Sequence, residues 1–168
     1  MSPLDLSKLS GPDAVVALRS YPRRFREALA PVPDDPGIDE LAHHIGSDGT
    51  AAIDHVLAAA NTMDLLARAL DQVAIHDDPV LHPAVLDATQ RAWDTPSDLT
   101  VAAALADLDA QVEAVADAAE RIHGPDWQRV GHAADGPSID ALGLAREAVR
   151  TGADELRAAQ TALAQARI

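Results

Sequence analysis

The sequence predicts an all-α domain built as a four-helix bundle, with a short extra helix in the crossover between helices two and three. Composition, the spacing of apolar residues and the position of helix breakers all indicate this class. Hydrophobic residues make up 48% of the 168 residues and aromatic residues only 2%. The core must therefore consist largely of alanine and aliphatic side chains, which favour helices and let them approach closely. We expect a single domain spanning residues 1–168.

Clusters of proline, glycine and small polar residues divide the chain into helical segments. A helix does not cross such clusters, because proline removes a backbone donor and clashes with the preceding turn. The clusters are residues 31–37, 46–49, 77–83, 94–97 and 124–137. Long stretches between them have apolar residues spaced alternately three and four apart, which is typical of amphipathic helices that bury one face.

The first two helices of the bundle are predicted before the cluster at residues 31–37 and after the cluster at residues 46–49. Helix one runs from about residue 12 to 30, with Pro22 inside it, where it should kink or restart. Helix two runs from about residue 50 to 75. A shorter helix is predicted over residues 83–93, in the crossover to helix three. Helix two has its apolar stripe at Ala52, Val56, Ala59, Met63, Leu66, Leu70 and Val73.

Helices three and four complete the predicted bundle. Thr95 is the expected N-cap of helix three, with Pro96 in its first turn, and Gly124 and Pro125 end it. Helix four is expected to start near residues 136–138. Its apolar stripe contains Leu142, Val149, Leu156 and Leu163. Four such helices in sequence are typical of a bundle.

Charge and cysteine usage exclude several functions. The net charge is −14 at pH 7 with a single lysine, so the surface repels nucleic acid and anionic membranes. There is no cysteine, which excludes disulfides, thiolate nucleophiles and cysteine-ligated zinc. No stretch reaches the ~18 apolar residues of a membrane span. We expect a cytoplasmic protein that binds neither nucleic acid nor membranes.

Polar residues on helices two and four are the candidates for a functional site. His55 lies beside the apolar stripe of helix two and can point at a neighbouring helix. On helix four, Glu147, Thr151 and Asp154 follow one another at i, i+4 and i+7 and form a polar row beside the stripe. Bundles build their sites from inward side chains on facing helices. His55 and this row are therefore the predicted site.

Both segments resemble those of one known family. Residues 49–64 around His55 resemble the histidine helix of the DinB-like superfamily. Residues 146–154 read Arg-Glu-Ala-Val-Arg-Thr-Gly-Ala-Asp, which is similar to the last-helix motif Arg-Glu-x-x-x-His-x-x-Asp of the mycothiol-dependent maleylpyruvate isomerase branch, in its N-terminal metal-binding domain. The resemblance covers nearly the whole chain in helix order and length. It implies a bundle that binds a divalent metal, zinc or nickel, and often uses a thiol cosubstrate such as mycothiol, bacillithiol or glutathione.

The ligand set that this resemblance implies is incomplete. His55 matches the first metal ligand and Glu147 the second, but Thr151 stands where the third, a histidine, is expected. Threonine is a poor ligand for zinc. Shifting the alignment by three residues instead places Arg150 and Asp154 on the paired histidines of other branches. Asp154 is the nearby residue that could complete the set, and we predict that metal is bound weakly or not at all.

Three functions stay open from the sequence. The first is a bundle protein with a degenerate metal site whose activity is lost or altered. The second is an active divalent-metal and mycothiol-dependent S-transferase or isomerase that uses His55, Glu147 and Asp154. The third is a non-enzymatic helical module that binds a small molecule or forms a homodimer. The alternative for His55 itself is a buried histidine hydrogen-bonded to an aspartate or glutamate of helix four.

Overall fold

The computed structural model describes residues 4–168 and forms a four-helix bundle, which confirms the predicted fold class. In the bundle, α3 (Ala52–Ile75) packs against α5 (Val101–Glu120) and α6 (Ala141–Ala166), and α1 (Gly11–Ala28) packs against the same two helices. Two strands form a short antiparallel hairpin, and no helix among residues 4–168 is long and apolar enough to cross a membrane. The helices are α1 (Gly11–Ala28), α2 (Ile38–Ala42), α3 (Ala52–Ile75), α4 (Pro83–Leu86), α5 (Val101–Glu120) and α6 (Ala141–Ala166), and the strands are β1 (Val130–His132) and β2 (Ser138–Asp140).

The core is aliphatic and rich in alanine, as the composition predicts. Every residue of the predicted α3 stripe is fully buried. Two aromatic side chains of α1, Tyr21 and Phe25, add bulk to this core. The helix runs through Pro22 as one segment, so the predicted restart there is wrong. The largest fully buried aliphatic side chains are Leu18, Ile53, Met63, Leu66, Leu70, Leu108, Leu144 and Leu163.

The start of α5 differs from the prediction. Thr100, and not Thr95, is the N-cap, since its hydroxyl oxygen accepts from the backbone N–H of Ala103 at 3.1 Å. Thr95 makes a tertiary contact instead, because its hydroxyl donates to Asp54 Oδ1 at 2.6 Å. Thr95 therefore fixes the crossover segment to the start of α3, and the helix begins at Val101.

The start of α6 and the crossover also differ from the prediction. Ser138–Asp140 pair with Val130–His132 as strands, so the helix begins only at Ala141, with Asp140 as its N-cap. The predicted helix over residues 83–93 is confined to Pro83–Leu86 and a 3₁₀ turn at Ala88–Gln90. Asp87 separates the two because its backbone is extended and its side chain caps the turn. The short helix α2 was not predicted.

An aspartate of α2 caps α5 from outside that helix. Asp39 Oδ1 accepts from the backbone N–H of Val101 at 2.6 Å, at the positive end of the helix dipole. We expect Asp39→Ala to lower the free energy of unfolding by about 1 kcal/mol in urea denaturation, and Asp39→Asn to lower it less because the acceptor oxygen remains. Glu40→Ala, a neighbouring exposed position, is the control. Equal effects of Asp39→Ala and Glu40→Ala would refute the cap.

Candidate functional site

The ring of His55 lies between two acceptors near the start of α3. Its Nδ1 is 2.7 Å from Glu155 Oε2 on α6, and its Nε2 is 3.1 Å from Thr50 Oγ1. The Thr50 hydroxyl donates its one proton to Asp48 Oδ1 at 2.8 Å, so its oxygen must accept from His55. Both ring nitrogens are therefore donors, and His55 is a charged imidazolium in this arrangement.

The electrostatics of the site favour that charged form. The hydrogen bond to Glu155 raises the pKa of His55 above its ordinary value, and it outweighs the opposing effect of burial. The charges of Glu155, Asp48 and Asp54 act in the same direction. The His55 and Glu155 side chains are 17% and 28% exposed, so water screens the pair only partly. The expected hydrogen bond from His55 to a carboxylate of the last helix is present, but the ring is half-buried and not fully buried.

Glu147 is held by an arginine of the crossover. Arg91 Nη1 lies 3.2 Å from Glu147 Oε1, and the Arg91 side chain is only 11% exposed. The rest of the guanidinium is anchored on the end of α4, because Nε donates to the carbonyl of Ala84 at 2.7 Å and Nη2 to that of Val85 at 2.9 Å. Arg150 Nε approaches the other Glu147 oxygen at 3.7 Å. The guanidinium of Arg91, held in place by α4, therefore pairs with Glu147, the residue that matches the second metal ligand.

The structure does not bring the predicted metal set His55, Glu147 and Asp154 together. The Asp154 side chain is 56% exposed, and its Oδ1 lies 3.7 Å from Arg157 Nη1 on the same helix. Within the described residues, no three histidine, aspartate or glutamate side chains are grouped so that they could hold a metal ion. Thr151, at the position expected for the third ligand, is buried with 8% exposure.

A cavity of about 350 Å³ lies where α3, α6 and the crossover meet. Thr62 of α3 and Thr151 of α6 both line it, and Trp93 of the crossover forms a further part of the wall. We call this space the α3–α6 cavity. It is large enough for a small molecule. The charged residues that line it are Arg91, Arg150, Glu147, Asp154 and Glu155.

Comparisons with known proteins support the fold. No protein-family model and no curated protein matches the sequence. Among solved structures, the chain is similar to YfiT from Bacillus subtilis, described as a probable metal-dependent hydrolase with an unusual four-helix bundle topology. The alignment covers 98% of this chain and 91% of YfiT, with a TM-score of 0.72 and 14% sequence identity. The chain has the YfiT fold. At this identity the likeness concerns the fold alone.

Three residues of this candidate site were not predicted from the sequence. Thr62 had a visible signal, since it is a polar residue beside Ala59 and Met63 in the apolar stripe of α3. Glu155 lies four residues after Thr151, as Asp154 lies three after it, and sequence spacing does not decide which of the two faces His55. Arg91 lies in an irregular segment where periodicity carries no information.

Proposed function

We propose that the protein is a DinB-like bundle protein of the mycothiol-dependent maleylpyruvate isomerase branch whose metal site is degenerate, so that its metal-dependent activity is lost or altered. The observation that carries this proposal is the Arg91 guanidinium bound to Glu147. The YfiT fold supports the superfamily, and the Arg-Glu pair at residues 146–147 supports the branch. In place of a metal, the α3–α6 cavity would receive a small molecule directly.

The donor set does not fit a divalent metal. Arginine stays protonated at any accessible pH, so the charge beside Glu147 cannot be removed by titration. Two unit charges ~4 Å apart near a protein surface interact by roughly 4 kcal/mol, and a divalent cation doubles that repulsion. A metal at Glu147 would also have to replace the Arg91 hydrogen bond. The charge repulsion and the loss of the Arg91 hydrogen bond both oppose metal binding, even before the missing third ligand is considered.

Both ring nitrogens of His55 donate hydrogen bonds, so neither has a lone pair available for a metal. A metal ligand must offer a lone pair, so His55 would have to lose one proton and release either Thr50 or Glu155. The raised pKa of His55 makes that proton loss less favourable than for an isolated histidine. The residues at this site therefore support a protein that works without a metal.

Metal titration of the purified protein tests the proposal. After dialysis against zinc or nickel and removal of excess, we expect well below one equivalent of metal by elemental analysis, with no difference between wild type and His55→Ala. Thr151→His alone should gain little, because Arg91 still holds Glu147. Thr151→His combined with Arg91→Gln should bind zinc at least about tenfold more tightly than Thr151→His, or about 1.4 kcal/mol. Stoichiometric metal that is lost on His55→Ala would overturn the proposal.

One observation favours an active metal- and thiol-dependent enzyme as a second candidate. Metal-binding histidines commonly donate their other ring N–H to a carboxylate, and Glu155 stands in that relation to His55 Nδ1. In this alternative, His55, Glu147 and Asp154 bind zinc or nickel after both carboxylates leave their arginines. Transfer activity with mycothiol that requires added metal and is abolished in Glu147→Gln would support it over the first proposal.

A further inference from the structure

The α3–α6 cavity contains both buried polar side chains of the described chain. Among residues 4–168, the buried residues that are polar or charged are Thr62 and Thr151, with 3% and 8% exposure. They lie on facing helices and line the same cavity. The one other buried side chain with a hydroxyl among these residues, Tyr21, donates to the Val149 carbonyl at 2.7 Å, and the remaining buried residues are apolar or glycine. The placement of two hydroxyls at one point of an aliphatic core is therefore a property of this cavity.

Neither hydroxyl has a hydrogen-bond partner within residues 4–168. Thr161, on the exposed side of α6, shows the usual alternative in a helix, since its hydroxyl donates to the carbonyl of Arg157 at 3.0 Å. Within the described chain, the side-chain atom that is fully enclosed by protein and has no hydrogen-bond partner is Asp109 Oδ1. The hydroxyl oxygens of Thr62 and Thr151 also lack a partner, so they are not fully enclosed and must border the cavity. Each hydroxyl therefore depends on water or a ligand in the cavity for its hydrogen bond, and valine would fill the same volume without that need.

Charges around the cavity are already paired. Glu147 lies between Arg91 and Arg150, Glu155 contacts His55, and Asp154 lies beside Arg157. A charged ligand would disturb one of these pairs, whereas an uncharged one would leave them intact.

The wall of the cavity is suited to a flat ring. The Trp93 side chain lines the cavity and is among the exposed large hydrophobic side chains, at 37% exposure. Ala58 and Ala88 add a small apolar surface. An indole face packs well against the face of another ring, either stacked or edge to face.

We propose that the α3–α6 cavity binds an uncharged ring compound that carries hydroxyl groups, with its ring against Trp93 and its hydroxyls hydrogen-bonded to Thr62 and Thr151. Hydroxyl groups fit because each threonine can then donate to or accept from the ligand. The inference rests on the proposed function, since it needs the cavity to be without a metal. Thr151, which stands where a metal ligand is expected, becomes a residue that determines ligand specificity.

Three probes that differ in one group test the proposal. Phenol carries the hydroxyl, toluene lacks it, and benzoate replaces it with a charge. Binding is followed by the shift of the Trp93 indole N–H signal in NMR, with Trp127→Phe removing the second indole and Trp93→Phe assigning the signal. We expect saturable binding of phenol, and weaker binding of toluene and benzoate by about fivefold or more, the equivalent of one hydrogen bond.

Substitution of the threonines separates the hydroxyl from the cavity itself. Thr62→Val and Thr151→Val should each weaken phenol binding about fivefold and leave toluene unchanged, while each raises the melting temperature because no protein hydrogen bond is lost. Thr161→Val, on the exposed side of α6, is the matched control and should leave all binding unchanged. Equal binding of phenol and toluene, tighter binding of benzoate, or no phenol shift would overturn the proposal. Metal titration tests the proposed function without any ring compound, so its result is independent of the phenol, toluene and benzoate measurements that test this proposal.

Discussion

Gly152→Val is expected to lower the free energy of unfolding by about 2–3 kcal/mol, the upper part of the range for overpacked cores. A Cβ atom on Gly152 of α6 would overlap the ring of Tyr21 on α1. The ring has little freedom to move, since Tyr21 is 2% exposed and its hydroxyl donates to the carbonyl of Val149 at 2.7 Å. The close approach of α1 and α6 therefore requires the absence of a side chain at this position.

Urea denaturation measures this effect. Gly37→Val is the matched control, because nothing lies within 4 Å of a Cβ at Gly37, and it should change stability by at most about 0.5 kcal/mol. The Tyr21→Ala variant should be affected less by Gly152→Val than wild type is, since the overlapping ring is gone. If Gly152→Val is as stable as the Gly37→Val control, α1 and α6 do not pack as described.

His55→Gln is expected to lower the free energy of unfolding by about 2 kcal/mol near pH 6, the value for a hydrogen bond to a charged group. The substitution leaves the Glu155 carboxylate without its cationic partner. The folded-state pKa of His55 is raised above the unfolded value of 6.5, so the folded state binds the proton more tightly. The stabilisation is therefore complete below the unfolded pKa and is lost as the pH rises through the folded pKa.

The pH dependence distinguishes this pair from simple packing. The stability difference between wild type and His55→Gln should shrink as the pH rises above the unfolded pKa of 6.5 and through the higher folded-state pKa, where the imidazolium loses its proton. Glu155→Gln should remove the same pH dependence, and a double-mutant cycle should show coupling between the two residues. His76→Gln, at an exposed histidine, is the control. A difference that is constant with pH would mean that the pKa of His55 is the same in the folded and unfolded states, so that Glu155 does not favour the charged ring.

The fold could be predicted because its signal is repeated along the chain. Each long helix has an apolar stripe of several residues, so a few errors at the ends, such as Thr95 at the start of α5, do not change the class. The hairpin of β1 and β2 was not predicted because strands of three residues are too short to show an alternating pattern. In segments this short, tertiary contacts and not the local sequence pattern decide the secondary structure.

The site was harder to predict because it depends on the rotation of α6 about its axis and on the irregular crossover segment that contains Arg91. Whether Glu155 or Asp154 meets His55 depends on the rotation of α6 about its axis, which core packing sets. The contact of Arg91 with Glu147 joins residues 56 positions apart, and one of them lies outside regular structure. The sequence therefore indicated which two helices carry the candidate site, but not how its charges pair.

The position of α1 also bears on how the chain folds. This helix packs on α5 and α6, and the hydrogen bond from Tyr21 to Val149 spans 128 residues. In a simple up-and-down bundle, helix one would rest on its neighbour in sequence and could dock early. Here most of the chain must be in place before α1 finds its partners, and loop-closure entropy delays such distant contacts. α1 should therefore be among the last of the four long helices to dock, because its apolar face has no partner until α5 and α6 are in place.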